Sequence, residues 1–265
     1  PTQTSSLGIG RTAVAISSGG RHSCALLDDG TVSCWGKNNS GELGDGTTTD
    51  RNTPTQTSSL GVGRTAVAIS SEKYHTCTIL DNGSVSCWGY GGLGDGTTTD
   101  RNTPTQTSSL GTGRTAAVSE RDWDNDGILN IFDSTPSVAS PPLSQFNIPG
   151  FQEGSIYTNP TLASGFGHTC AILDDGTVSC WGDNTYSQLG DGTATERNTP
   201  AQTSSLGTGR TAVAISSGLY YSCAILDDAS VSCWGYNYYG ELGDGTTTQR
   251  NTPTQTSSLG TGRTA

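Results

Sequence analysis

Short runs of apolar residues, each four or five long and separated by glycine, serine and aspartate, recur along the whole chain. In the first unit they are Ala13-Val14-Ala15-Ile16, Cys24-Ala25-Leu26-Leu27 and Val32-Ser33-Cys34-Trp35. Runs this short, bounded by turn residues and carrying no helical period, predict β-strands. Asp28-Asp29-Gly30 between the second and third runs is a turn signal of the type-I-plus-glycine-bulge kind, so those two strands form a hairpin.

The phrase HSCALLDDGTVSCWG beginning at His22 returns as HTCTILDNGSVSCWG from His75, HTCAILDDGTVSCWG from His168 and YSCAILDDASVSCWG from Tyr221, each running on into LGDGT. Pro-Thr-Gln-Thr or Pro-Ala-Gln-Thr marks the unit boundaries at Pro1, Pro54, Pro104, Pro200 and Pro253, in steps of 53, 50, 96 and 53 residues. The short step reflects residues 37–42 shrinking to 90–92, and the long one is a unit plus an insertion of 43 residues. Self-similarity at this period indicates a propeller, a solenoid or a tandem array. The expected fold is all-β, with propeller-like blades of antiparallel strands: four repeat units and a partial fifth.

Composition agrees with a turn-rich repeat. The 37 glycines in 265 residues are about twice the usual share of roughly 7%. No stretch approaches the roughly 20 apolar residues of a membrane helix, so no membrane span is expected. No secretory leader is visible and both ends fall inside a repeat phrase, which reads as a mature or truncated piece. The net charge is −11 and the lysines are only Lys37 and Lys73, which argues against nucleic acid as a partner. Arginines recur before Asn-Thr-Pro (Arg51, Arg101, Arg197, Arg250) and before Thr-Ala (Arg11, Arg64, Arg114, Arg210, Arg263). That recurrence favours structural pairing with a nearby Asp or with turn carbonyls over ligand binding.

The hairpin fixes the cysteines. Pairing Leu27 with Thr31 places Leu26 opposite Val32, Ala25 opposite Ser33 and Cys24 opposite Cys34, at a non-hydrogen-bonded pair where Cα atoms approach to about 4.5 Å. Four disulfides follow: Cys24 to Cys34, Cys77 to Cys87, Cys170 to Cys180 and Cys223 to Cys233. A zinc site is disfavoured, since structural zinc places cysteines closer together in sequence. A redox-active pair is disfavoured for the same reason and by the four copies. Four bridges imply an oxidising compartment, extracellular or at the cell surface. His22, His75 and His168 share one repeat position, taken by Tyr221 in the last unit, and lack a nucleophile at fixed spacing. They therefore read as structural hydrogen-bonding residues. Trp35, Trp88, Trp181 and Trp234 follow the second cysteine and are expected to pack between units. Asn38 and Asn82 stand in Asn-x-Ser sequons, which are weak signals.

The order Ala-Val-Ala-Ile-Ser-Ser-Gly, then His-Ser-Cys-Ala-Leu-Leu-Asp-Asp-Gly-Thr-Val-Ser-Cys-Trp-Gly, then Gly-Glu-Leu-Gly-Asp-Gly resembles the repeat of the regulator-of-chromosome-condensation family over about four units. The resemblance implies a β-propeller, commonly of seven blades with four antiparallel strands each, one blade's worth of chain per unit. The paired cysteines look like those of secreted or surface versions. The nucleotide exchange of the chromatin-associated prototype finds no support in this acidic chain. A secreted relative that inhibits β-lactamases shows that the scaffold can serve as a protein-binding surface. Four units leave closure open: part of a larger ring, a smaller ring, or copies that complete one another, since unpaired edges invite association.

The insertion carries a metal-binding pattern. Asp122, Asp124, Asp126, Asn130 and Asp133 supply oxygens at loop positions 1, 3, 5, 9 and 12, Ile128 a carbonyl at position 7, and Gly127 the sharp turn. A hard cation taking six to eight oxygens needs such spacing, so Ca²⁺ is expected here with a structural role, in preference to Mg²⁺ or to an acidic linker without metal. The loop resembles those of thrombospondin type 3 repeats and dockerins, which also close on Asp. Prolines 136, 141, 142, 149 and 160 mark an irregular connector after it. The expected division is 1–117 for units one and two, 118–160 for the insertion, and 161–265 for units three and four with the start of a fifth. The insertion is read either as a hinge between two lobes or as a loop protruding from a continuous ring, and its length favours a spacer or small module.

The units differ by few residues, whereas an enzyme builds one asymmetric pocket, so no reaction is expected. The leading expectation is a secreted or cell-surface scaffold for adhesion, recognition or extracellular structure, with an unnamed protein or surface ligand. The alternatives are a self-assembling subunit of a filament or layer, and an enzyme-inhibitor or receptor-binding propeller. Tyr220, Tyr221, Tyr236, Tyr238 and Tyr239 concentrate in the last unit and form the candidate contact surface, since tyrosine is enriched at interfaces. Packing between blades is the competing explanation.

Overall fold

Leu27 N–H donates to Thr31 O and Gly30 N–H to Leu27 O, each at 2.9 Å, in the computed structural model, which describes Leu7 and residues 11–117 and 161–257. Gly30 holds a φ of 75°, a left-handed conformation that glycine adopts without steric cost. The turn closes β2 (His22–Leu27) on β3 (Val32–Gly36). Their register sets Leu26 against Val32, Ala25 against Ser33 and Cys24 against Cys34, as the hairpin chemistry requires.

Two strands complete the sheet. β1 (Ala13–Ser18) pairs with the outer side of β2, and β4 (Arg51–Gln56) pairs with β3, giving the antiparallel order β1-β2-β3-β4. The pattern repeats in β5 (Ala66–Ser71), β6 (His75–Leu80), β7 (Val85–Gly89) and β8 (Arg101–Gln106). The third sheet holds β9 (Leu162–Gly165), β10 (His168–Ile172), β11 (Val178–Gly182) and β12 (Arg197–Gln202), and the fourth β13 (Ala212–Ser217), β14 (Tyr221–Leu226), β15 (Val231–Gly235) and β16 (Arg250–Gln255). Each sheet is one four-stranded blade. The phrase Arg-Asn-Thr-Pro, which marks the unit boundary in sequence, forms the last strand of the preceding blade. Its proline sits on an edge strand, where a missing N–H removes no ladder bond.

The core lies between blades. Cys24, Leu26, Val32, Cys34 and Leu43 of the first blade pack against Ala66 and Trp88 of the second. Cys77, Ile79, Val85, Cys87 and Leu93 meet Leu162, Ala171, Leu173 and Trp181 in the next interface. Cys170, Ile172, Val178, Cys180 and Leu189 meet Ala212, Ile215, Ala224 and Trp234 in the third. The glycine of the LGDGT loop in each of the first three blades allows the next blade's tryptophan in: a Cβ at Gly44 would stand 2.8 Å from Trp88 Nε1.

The insertion enters inside a strand. Ala116 bridges Leu173, Ala117 N–H donates to Ile172 O at 2.8 Å, and Ile172 N–H donates to Thr161 O at 2.8 Å. Ala116 therefore takes the place of Ala66, and Leu162 that of Ile69, with residues 118–160 leaving and returning at Ile172 where the other blades have a β-bulge. The two flanks complete one innermost strand, and the second and third blades share a core.

Candidate protein-interaction face

The chemistry-bearing residues of the repeat are consumed by the joints between blades. His22 Nε2 lies 2.8 Å from Thr76 Oγ1, His75 Nε2 2.8 Å from Thr169 Oγ1, and His168 Nε2 2.9 Å from Ser222 Oγ. All three imidazoles are buried. Desolvation lowers His22 and His75 to about 4 and His168 to about 3, with a neighbouring histidine adding to the shift in the latter two. They stay neutral at physiological pH, and the hydroxyls they contact are buried with them in the joints. Trp88 Nε1 donates to Glu42 O and Trp234 Nε1 to Gln188 O, both at 2.9 Å. Trp181 Nε1 is buried with no partner among the described residues. The loop it faces, residues 90–92, is the shortened one.

The recurrent arginines pair with aspartates, as their spacing implied. Arg51, Arg101, Arg197 and Arg250 lie 2.8, 2.6, 2.7 and 2.6 Å from Asp45, Asp95, Asp191 and Asp244. A hydrogen bond from Thr246 and the contact with Arg250 pull the Asp244 carboxyl down to about 2, against a smaller opposing effect of desolvation. Arg11, Arg64, Arg114 and Arg210 clasp the hairpin-turn aspartates in the same manner. Asn38 is fully buried, donating to Asp45 and to the Thr47 and Thr49 carbonyls while accepting from Leu43 N–H. It is therefore no glycan acceptor in the folded chain. Asn82 is exposed in its turn.

What remains is a row of aromatic rings. It lies on the loops between the first and second strands, and on those following the third, of the second to fourth blades. Tyr74 contacts Tyr90 and Phe166 at 5.9 and 5.6 Å between centroids. Phe166 meets Tyr220 at 5.4 Å, and Tyr186 meets Tyr220 and Tyr236 at 4.8 and 5.2 Å. Tyr238 stacks on Tyr236 at 6.3 Å and meets Tyr239 at 4.9 Å. These centroid separations are those of favourable edge-on or offset pairs. At the other end Lys73 Nζ sits 4.9 Å from the Tyr74 centroid and 4.7 Å from that of Phe166, with Lys37 Nζ 6.0 Å from Tyr74. Both lysines of the chain thus cap one end of the row. Desolvation, then the nearby Tyr239 and Glu241, raise the Tyr236 phenol above its ordinary value.

Of the tyrosines singled out in the sequence, Tyr220, Tyr236, Tyr238 and Tyr239 join this row, with Tyr238 and Tyr239 67% and 82% exposed. Tyr221 does not; it occupies the histidine position of β14. Tyr74, Tyr90, Phe166 and Tyr186 belong to the row but were missed. The available signal was their placement, just before the His position or in the loop after Trp-Gly, where the repeat varies most. The calcium loop, Asp122, Asp124, Asp126, Ile128, Asn130 and Asp133, lies outside the described residues.

Models of the regulator of chromosome condensation (RCC1) repeat match residues 13–42, 161–188 and 212–241, and residues 29–79, 175–225 and 228–264. The chain belongs to the RCC1 repeat family. It is 29% identical over 255 residues to the ultraviolet-B receptor UVR8 of Arabidopsis thaliana, a match covering 89% of this chain and 56% of the receptor. It is 27% identical to the human E3 ubiquitin-protein ligase HERC2, over 93% of this chain and 4% of the ligase. The chain thus spans little more than half of the one relative and a small part of the other. Among solved structures, human WBSCR16 aligns with a TM-score of 0.49 at 18% identity, covering 94% of this chain and 68% of that one. Yeast RCC1 (Prp20), bound to Kap60, aligns at 0.47 and 18%, covering 92% and 63%. The joints are built from positions that recur in the units of this chain, and the aromatic row from positions that differ between them.

Proposed function

We propose that this RCC1-repeat chain is a non-enzymatic, extracellular recognition scaffold whose protein partner docks on the aromatic row. The observation that carries the reading is the continuity of rings from Tyr74 to Tyr239 across three blades, assembled at positions that vary between the four units. Aromatic side chains supply large contact areas at low entropic cost and dominate interface hot spots. The four disulfides support an oxidising compartment, where such bonds persist. The test is affinity capture from the culture medium of the source cells, with wild-type protein and with Tyr238→Ser/Tyr239→Ser. Both rings are exposed, so the variant keeps the fold, and a partner binding the row loses about 30-fold or more in affinity, a loss of ~2 kcal/mol. Equal capture by the two proteins would discard the aromatic row as the docking face.

The segment 118–160 is, in this reading, a calcium-binding insert between repeat pairs 1–117 and 161–265. Its acidic spacing supports one Ca²⁺ held by Asp122, Asp124, Asp126, Ile128, Asn130 and Asp133. Titration calorimetry should show one site, with a dissociation constant of about 10⁻⁴ to 10⁻³ M if it behaves as other extracellular modules do. Asp124→Ala should abolish the heat. An unchanged titration in the variant would remove the assignment.

A further inference from the structure

The three joints between blades share their apolar packing but not their polar bonds. Leu43, Leu93 and Leu189 are each fully buried. At the first joint the Glu42 carbonyl accepts from Trp88 Nε1 at 2.9 Å and from Thr76 Oγ1 at 3.2 Å, and Asn102 Nδ2 donates to Gly46 O at 3.0 Å. The third joint repeats all three bonds. There the Gln188 carbonyl accepts from Trp234 Nε1 at 2.9 Å and from Ser222 Oγ at 3.2 Å, and Asn251 Nδ2 donates to Gly192 O at 3.1 Å. The middle joint, between the second and third blades, makes none of the three among the described residues. Trp181 Nε1 and Asn198 Oδ1 are buried in it without a partner. It keeps the His75 to Thr169 contact at 2.8 Å and the bond from Gly96 N–H to Asn198 O at 2.7 Å.

The cause lies in the three-residue deletion. In the first blade Asn38 donates to the Thr47 and Thr49 carbonyls and accepts from Leu43 N–H, which holds the loop so that the Glu42 carbonyl faces the next blade. Asn184 makes the same three bonds in the third blade, to Thr193, Thr195 and Leu189. The second blade runs from Tyr90 through two glycines to Leu93 and has no such asparagine. Gly91 N–H donates to Asp100 Oδ1 at 3.0 Å, and the shortened loop brings no carbonyl to the Trp181 indole.

We propose that the joint between the second and third blades is a built-in opening point, parting locally and reversibly while the first and third joints stay shut. A bond that is not made adds nothing to closure, and a polar atom buried without a partner regains water when the joint parts. Both effects favour opening at this joint over its neighbours. The aromatic row crosses the same joint: Tyr74 meets Phe166 at 5.6 Å, and Lys73 Nζ lies 4.7 Å from the Phe166 centroid. Opening separates Lys73 and Tyr74 from Phe166 and breaks the row there. A partner that spans the row then binds the closed form and, by linkage, holds it shut. This regulation of docking rests on the function proposed above; the opening itself rests on the joint contacts alone.

The experiment is hydrogen exchange on the full chain, followed by nuclear magnetic resonance without added ligand, so its outcome does not depend on whether a partner docks on the row. Gly46, Gly96 and Gly192 stand in the same phrase, Leu-Gly-Asp-Gly-Thr, which gives their amides one intrinsic rate. Each donates across its joint to an asparagine carbonyl, at 2.8, 2.7 and 2.8 Å. The Gly96 amide should exchange on the order of 100-fold faster than those of Gly46 and Gly192, the factor that three missing bonds imply. The Trp181 indole N–H should outpace those of Trp88 and Trp234 by a similar factor. Replacing residues 90–92 with the six-residue sequence of 37–42 restores the asparagine and the loop carbonyl, and should slow Gly96 and Trp181 to the rates of their counterparts. Wild-type rates at Gly96 and Trp181 within a few fold of those counterparts would overturn the proposal without any variant. Fast exchange that persists in the folded loop-replaced protein would overturn it too.

Discussion

Reduction of the four hairpin disulfides is expected to unfold the array at physiological temperature. Each bond closes a loop with a sequence separation of 10 residues, which the chain-entropy relation values at roughly 2.5 to 3 kcal/mol. Four of them together approach the whole net stability of an ordinary domain, about 5 to 15 kcal/mol. The position adds to the effect. The first three pairs line a face directed toward the following blade, and Cys24, Cys77 and Cys170 each lie against a hydroxyl of that blade, at 3.8, 3.7 and 3.7 Å. Losing a bond therefore loosens a hairpin and the joint it supports. Thermal melts followed by circular dichroism, with and without a phosphine reductant, should show the reduced form largely unfolded at 37 °C. The single-pair variant Cys77→Ala/Cys87→Ala should lose about 2 to 5 kcal/mol in denaturant titrations. A reduced protein that melts within a few degrees of the oxidised one would mean that packing between blades, not cross-linking, carries the stability.

Much of this architecture was legible because the repeat states it four times. The turn residues Asp-Asp-Gly set the hairpin register, the register set the cysteine pairing, and the structure forms all four pairs with Cα atoms 4.1 Å apart. The recurring histidines and arginines were readable as structural because recurrence at one repeat position places each in the same joint. Less legible was the strand formed by Arg-Asn-Thr-Pro, since proline argues against strands unless the edge position is known. The insertion point was also hidden. Ala116 and Ala117 look like the start of a new element, and only the pairing of both flanks with β10 shows one strand made in two pieces. Half of the aromatic row, Tyr74, Tyr90, Phe166 and Tyr186, escaped the sequence reading because its members are scattered from residue 74 to residue 239. They become neighbours only when the blades stack.

The same contrast separates stability from recognition. Positions shared by the units hold the blades together, through His-hydroxyl, Trp-carbonyl and Arg-Asp contacts. Variable positions in the loops beside His and Trp-Gly carry Lys37, Lys73, Tyr74, Tyr90, Phe166, Tyr186, Tyr220, Tyr236, Tyr238 and Tyr239. Those side chains can change without touching a joint, which gives a repeat scaffold a face to specialise. The three-residue deletion after Trp88 marks the boundary of that tolerance. It removes the counterpart of the buried Asn38 and leaves the Trp181 indole without its carbonyl partner, so the second unit gives up part of a joint and places Tyr90 at the surface.

Mild acid should destabilise the fold well before its carboxylates titrate. His22, His75 and His168 are lowered from 6.5 to about 4, 4 and 3 by burial in the joints. A group held neutral in the native state but free to protonate when unfolded makes the unfolded chain bind more protons between those two values. Stability then rises with pH across that window, is fully present above about pH 6.5, and is lost as pH falls toward 4. A shift of this size corresponds to roughly 3 kcal/mol per histidine at the low end. The depressed aspartates act in a lower window: Asp244, held near 2, contributes above its ordinary value and fails only as pH drops through its folded one. Denaturant midpoints measured at pH 7.5, 6 and 5 in oxidising buffer should therefore fall steadily. The variant His75→Gln keeps a hydrogen-bonding amide at the joint but cannot titrate, and should flatten the slope by about a third, one of three comparable sites. Midpoints unchanged between pH 7.5 and 5 would mean that the joints admit water and protons to the imidazoles, and that the buried histidines do not hold the blades in the neutral form.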